Sequence, residues 1–250
     1  MTMESATGKL AKDRLIVALD VDSQSRALDL FEQLREHIGM FKIGMQLFTA
    51  AGPDIVRTIV GRGSRVFLDL KYHDIPNTVA MAAIEATRLG VSIFNVHAAG
   101  GREMMKRTAE AVSEISVREN LSRPKVIAVT VLTSVDRETL KGIGIDEAPE
   151  TVVTRLASIA AACGLDGVVA SAQEVTNIRG AVSRPDFIIV TPGMRSAAGA
   201  DDQRRTMTVA EAIRAGADYL VVGRPILNAA DPVAAAIGLV GEIEASARQS

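Results

Sequence analysis

Eight short apolar runs, each followed by a longer amphipathic segment, leave a chain of 250 residues few folds to choose from. The runs cover residues 15–19, 40–44, 64–70, 91–96, 125–131, 167–170, 187–190 and 219–222. Each reads as a short buried strand. The intervening segments carry the helical period, as with Ala27, Leu28, Phe31 and Leu34 in 25–37. Further helices are predicted over 47–60, 78–89, 101–112, 150–162, 174–179, 209–215 and 232–247, with a polar loop after the fifth strand. Eight strand-helix units in succession are the pattern of a (β/α)8 barrel. A doubly wound open sheet is the alternative, but the dinucleotide-binding glycine fingerprint is missing after the first strand. No linker rich in Pro, Gly or Ser divides the units. The expected fold is therefore α/β, a single (β/α)8 TIM barrel over residues 1–250, with 1–13 as a short N-terminal extension.

Composition narrows the class of ligand. Lys and Arg number 28 against 30 Asp and Glu, a net charge of -2, which gives no bulk attraction for nucleic acid or an anionic membrane. Aromatics are only 3%, so stacking platforms for bases are scarce. A small anion needs only local positive charge. The lone Cys163 excludes an intramolecular disulfide and reads as a core thiol at a helix end rich in small residues. No apolar run approaches the length of a membrane span, and residues 1–14 are polar where a signal peptide needs an apolar stretch. A cytoplasmic location is expected.

In such a barrel the chemistry lies at the carboxyl ends of the strands. Those ends carry Asp20, Lys42, Asp69 with Lys71, His97, residues 130–134, residues 191–195 and Gly223-Arg224. The third is the densest. Strand side chains alternate faces, so Asp69 and Lys71 share one while Leu68 and Leu70 take the other. If the leucines pack on the helices, the charges point inward. The chain then turns through His73 and Asp74 into Pro76, which suits the first turn of a helix. A purely structural role stays open here: Asp69 and Lys71 as an ion pair, Asp74 as a helix N-cap. The last two units suit an anion, since Pro192-Gly193 and Gly223-Arg224-Pro225 let backbone approach closely, and Arg195 and Arg224 supply forked donors. His97 reads as a structural strand-end residue, and neither His37 nor His73 has a companion at metal-ligand spacing.

These residues resemble one family, the orotidine 5'-phosphate decarboxylases. The resemblance is carried by residues 15–20, by Phe41-Lys-Ile-Gly44, by Asp69-Leu-Lys-Tyr-His-Asp-Ile-Pro-Asn-Thr78, by Thr191-Pro-Gly-Met-Arg195 and by Val222-Gly-Arg-Pro-Ile226. It implies a catalytic quartet of Lys42, Asp69, Lys71 and Asp74, with Lys71 the proton donor. It also implies that Asp20 and Lys42 hold the ribose hydroxyls and that Thr133 lies near the pyrimidine. Arg195, Gln203, Gly223 and Arg224 would surround the phosphate. Asp74, Ile75 and Thr78 would reach the neighbouring subunit's site in a homodimer. The implied substrate is orotidine 5'-monophosphate (OMP), converted to UMP and carbon dioxide with no metal and no cofactor.

The chemistry agrees with that residue set. Loss of carbon dioxide from C6 leaves an electron pair in the ring plane, beyond the reach of the ring's π-system. A nearby ammonium can stabilise this carbanion and then protonate it. Two other readings compete at this point. One is a metal-dependent sugar-phosphate decarboxylase or epimerase on the same barrel, against which the two lysines beside the acids argue by repelling a cation. The other is a barrel that only binds phosphate, against which stands the cost of burying four charges.

Overall fold

The computed structural model describes residues 10–193 and 207–248. Its strands are β1 (Leu15–Ala18), β2 (Met40–Gly44), β3 (Arg65–Tyr72), β4 (Ile93–His97), β5 (Lys125–Val129), β6 (Gly167–Val169), β7 (Ile188–Pro192) and β8 (Tyr219–Val222). They pair in parallel in chain order, and β8 pairs back to β1, closing the barrel. The helices before β3 are α1 (Ala11–Arg14), α2 (Gln24–Leu34), α3 (Met45–Ala51) and α4 (Asp54–Gly61). Then follow α5 (Pro76–Arg88), α6 (Gly101–Arg118), α7 (Arg137–Gly142) and α8 (Pro149–Ala162). The chain ends in α9 (Val175–Ala181), α10 (Val209–Ala215), α11 (Arg224–Leu227) and α12 (Pro232–Ala247). Among the described residues no helix is long and apolar enough to cross a membrane.

Strand alternation sorts the core into two layers. Ile16, Met40, Phe67, Ile93, Ile127, Val190 and Val221 fill the barrel interior, while Val17, Phe41, Leu68, Phe94 and Ile189 pack outward against the helices. Both sets are apolar, which is why the strands read as continuous apolar runs. Phe31 of α2 meets Phe41 of β2 edge to face, with ring centroids 5.0 Å apart. Where the barrel strands draw closest, side-chain volume is excluded: a Cβ on Gly167 would lie 2.1 Å from the carbonyl oxygen of Ile188.

Several local expectations are corrected. The single helix over 47–60 is two, because Gly52 takes a positive φ of 66° and Pro53 follows it, so α3 ends and α4 begins anew. The polar loop after β5 contains α7, whose first turn is capped by Asp136 accepting from the Thr139 amide at 2.9 Å. α6 runs on to Arg118, with Ile115 and Ser116 continuing the buried face. Residues 10–13 of the expected extension pack onto the barrel's amino-terminal end. There α1 places Asp13 against Arg65, and the Gly39 amide donates to the Lys12 carbonyl at 2.9 Å. Cys163 is half-buried, its thiol donating to the Arg102 carbonyl at 3.6 Å.

Candidate active site

One step up from the interior layer, the same alternation delivers charge. In β2, Met40 faces inward and Phe41 outward, so Lys42 faces inward again; in β3, Phe67 and Leu68 place Asp69 likewise. Lys42, Asp69 and Lys71 line a cavity of about 210 Å³ at the carboxyl ends of the strands. Leu132, Thr133 and Ser134 from the segment after β5, together with Pro192 of β7, also line it. The cavity thus combines apolar walls with a few converging charges, the usual composition of a small-molecule site.

The charges form a chain. Lys42 Nζ lies 2.9 Å from Asp20 Oδ1 and 3.3 Å from Asp69 Oδ2, and Lys71 Nζ lies 2.7 Å from Asp69 Oδ1. The Lys42 and Asp69 side chains are only 10% and 13% exposed, a burial that only mutual pairing makes tolerable. Burial alone would raise the Asp69 carboxyl. Lys42 and Lys71 outweigh it, helped by hydrogen bonds from Lys71 and Asn95, and hold the carboxyl below the usual carboxylate range. A Cβ on Gly44 would sit 3.0 Å from Lys42 Nζ and 3.2 Å from Asp20 Oδ1, so the absence of a side chain there leaves room for the outer ion pair.

Within one chain, Lys42, Asp69 and Lys71 of the expected quartet come together, while Asp74, expected to reach a neighbouring subunit's site, lies apart from them. Asp74 is exposed and turns its carboxylate onto its own backbone, accepting from the Ile75 amide at 2.6 Å. Ile75, not Asp74, holds the N-cap position of α5, and Pro76 opens that helix as expected. Ile75 is 66% exposed, and Thr78 in the first turn is exposed too. Thr133 lies in the cavity wall, and Gly223 sits beside Ala18 and Asp20 with Arg224 opening α11. Arg195 and Gln203 lie outside the described residues.

Two features were missed from the sequence. Asn95, fully buried in β4, bonds both Asp69 and Lys71. His73, which has no partner at metal-ligand spacing in sequence, stacks on His97 with ring centroids 5.3 Å apart. The one available signal for Asn95 was a polar residue interrupting the run Ile93-Phe94-Asn95-Val96. Burial, reinforced by the neighbouring His73 and Lys71, lowers the His97 pKa. A histidine whose folded pKa lies below its unfolded value of about 6.5 favours the native state above that pH. That contribution is lost as pH falls from the unfolded value through the folded one. We therefore expect His97→Asn to flatten the decline in Tm as pH falls below about 6.5. An unchanged slope in a thermal melt series would assign the decline to other groups.

A closed (β/α)8 barrel with a buried lysine-aspartate-lysine chain at its carboxyl rim defines a class: a barrel enzyme whose centre is built from charged side chains. The profile of the orotidine 5'-phosphate decarboxylase / HUMPS family matches residues 13–238, and the chain belongs to that family. An orotidine 5'-phosphate decarboxylase from Syntrophotalea carbinolica is 55% identical over 237 residues, 94% of this chain and 97% of the relative. One from Geobacter sp. (strain M21) is 54% identical over 246 residues, 98% of this chain and 100% of the relative. Among solved structures, an orotidine 5'-phosphate decarboxylase from Lactobacillus acidophilus superposes with a TM-score of 0.81 at 36% identity, covering 92% of this chain and 98% of that one.

Proposed function

We propose that this chain is a carboxy-lyase that converts OMP to UMP and carbon dioxide in pyrimidine biosynthesis, as a cytoplasmic homodimer without metal or cofactor. The observation that carries the reading is the placement of Lys71 Nζ, held at 2.7 Å on a buried carboxylate that Lys42 grips from its other oxygen. With the pyrimidine in the cavity near Thr133, the substrate carboxylate comes beside Asp69. That like-charge contact disfavours the bound carboxylate and is relieved when the C6–carboxyl bond breaks and neutral carbon dioxide departs. The electron pair stays on C6. Lys71 stabilises it and transfers a proton to it, and the resulting amine is reprotonated from solvent.

Lys42 and Asp20, already ion-paired, are placed to take the ribose hydroxyls, and Gly223 beside Asp20 leads into Arg224, which with Arg195 and Gln203 would take the phosphate. Both oxygens of Asp69 are engaged by ammonium groups, which stand where a divalent cation would need to bind. Loss of ultraviolet absorbance on mixing protein with OMP in EDTA tests the reading. No conversion by folded protein overturns it, and tight nucleotide binding without turnover would mark a binding barrel instead.

Phosphate binding far from C6 pays off in the chemical step when it helps close the site. Arg224→Ala is therefore expected to lower kcat/KM for OMP by about 10- to 100-fold, the value of a charge-assisted hydrogen bond. Turnover of orotidine, which lacks the phosphate, should stay within about twofold by the same reasoning. Equal losses on both substrates would remove Arg224 from the phosphate site.

A further inference from the structure

Across the stretch that reaches the cavity, β3 holds two more residues than its neighbour. Leu68 is paired with Phe94 and Tyr72 with Val96, so Asp69, Leu70 and Lys71 together face Asn95 alone. Such an excursion breaks the ladder and leaves backbone groups to be satisfied in another way. Lys71 sits within it at φ 53°, a left-handed conformation that strains any residue bearing a Cβ. Something must hold it there.

Asn95 does so from β4. Its Oδ1 accepts the Lys71 backbone N–H at 2.8 Å, standing in for the missing ladder carbonyl. Its Nδ2 donates to Asp69 Oδ1 at 2.7 Å, the same oxygen that accepts from Lys71 Nζ. The orientation of the amide is forced, because a backbone N–H only donates and an ionised carboxylate only accepts. Asn95 is fully buried, so both bonds are shielded from water.

We propose that Asn95 is a positioning residue for decarboxylation, a single side-chain amide that fixes the backbone of Lys71 and the carboxylate of Asp69 in one geometry. The proposal rests on the decarboxylase reading for its catalytic half. Its structural half stands on the excursion in β3 alone. Neither aspartate nor glutamine in place of Asn95 supplies both bonds at these distances: a glutamine is one methylene too long, and an ionised aspartate cannot donate.

Two variants and two readouts test it. Asn95→Leu keeps the branching of the side chain, though bulkier, and removes both bonds; kcat for OMP is expected to fall about 10- to 100-fold with KM changed less than about threefold, since the ribose and phosphate contacts are untouched. Asn95→Asp, nearly isosteric, retains the acceptor but sets a second carboxylate beside Asp69. As pH falls, the pair captures one proton and regains a donor, so this variant's kcat relative to wild type should rise toward acid while that of Asn95→Leu stays flat. Amide hydrogen exchange gives a readout independent of turnover: the Lys71 N–H, protected in the wild type, should exchange at least about tenfold faster in Asn95→Leu.

Wild-type turnover with kcat of both variants unchanged overturns the positioning role, and so does a loss in kcat with no pH recovery in Asn95→Asp and no change in Lys71 exchange. If the wild type does not convert OMP, the functional reading fails, and the exchange measurement alone decides whether Asn95 holds Lys71. Should Asn95→Leu not fold, Asn95→Asp carries the turnover measurement through its pH dependence, and Asn95→Ala, smaller and equally without the acceptor, carries the exchange measurement.

Discussion

Lys71→Ala is expected to reduce decarboxylation of OMP by at least about three orders of magnitude while the protein stays folded. An ammonium about 4 Å from a developing carbanion is worth roughly 4 kcal/mol at an effective dielectric of about 20, and about 1.4 kcal/mol is a factor of ten in rate. Loss of the proton donor acts on the same step, with typical factors of about 10² to 10⁴. The two losses belong to one group and overlap, so they are not summed. Folding should survive because Asp69 is not orphaned: Lys42 still grips Oδ2 at 3.3 Å and Asn95 still donates to Oδ1 at 2.7 Å. The backbone at Lys71 has φ 53°, so Lys71→Gly, which adopts that conformation without strain, is the cleaner companion variant. Lys71→Arg keeps the charge but surrenders no proton, and should resemble Ala more than wild type. Single-turnover ultraviolet kinetics decide the matter. Residual activity within about tenfold of wild type would take Lys71 out of the chemistry.

The barrel was legible because parallel strands buried on both faces read as short apolar runs, here repeated eight times between helical periods with no dinucleotide-binding glycine fingerprint to favour an open sheet. The rim was legible for a related reason. When an interior position such as Met40 or Phe67 is apolar, the residue two further on shares its direction, so Lys42 and Asp69 announce themselves by breaking the run. What the period could not show is what happens when it fails. At Lys71 the backbone turns left-handed and the pairing slips, and it is this departure that sets Asp69 and Lys71 opposite Asn95. Contacts between strands were equally hidden: nothing in the separation of His73 and His97 states that their rings stack. Within helices the pattern misled at residues 47–60, where apolar spacing runs through Gly52-Pro53 although the backbone stops there. Asp74 is a different case. The resemblance implies that it serves a neighbouring subunit's site, and within one chain its carboxylate points to solvent and its own backbone.

That position of Asp74 leads to the second large expectation. Mixing two inactive variants, Lys71→Ala and Asp74→Ala, should restore about one quarter of wild-type activity after subunit exchange. A single chain gives Asp74 no contact with Lys42 or Lys71 among the described residues, and the proposed homodimer is what would bring it to a cavity. Ile75 is 66% exposed and Met81, further along α5, is 44% exposed, apolar side chains that packing against a second copy would take out of water. A twofold axis beside the β3–α5 junction would bury them and carry each Asp74 into the opposite cavity. Equal mixing makes about half of the dimers hybrid, and each hybrid has one site with both Lys71 and a partner's Asp74 and one site with neither. Recovery to about one quarter therefore follows from the geometry alone, with no new contact required. Each variant by itself should remain near background. A mixture that also stays at background, in dimers shown to exchange, would mean that Asp74 serves its own chain's cavity through a movement of the 73–75 turn, and the shared-site arrangement would be withdrawn.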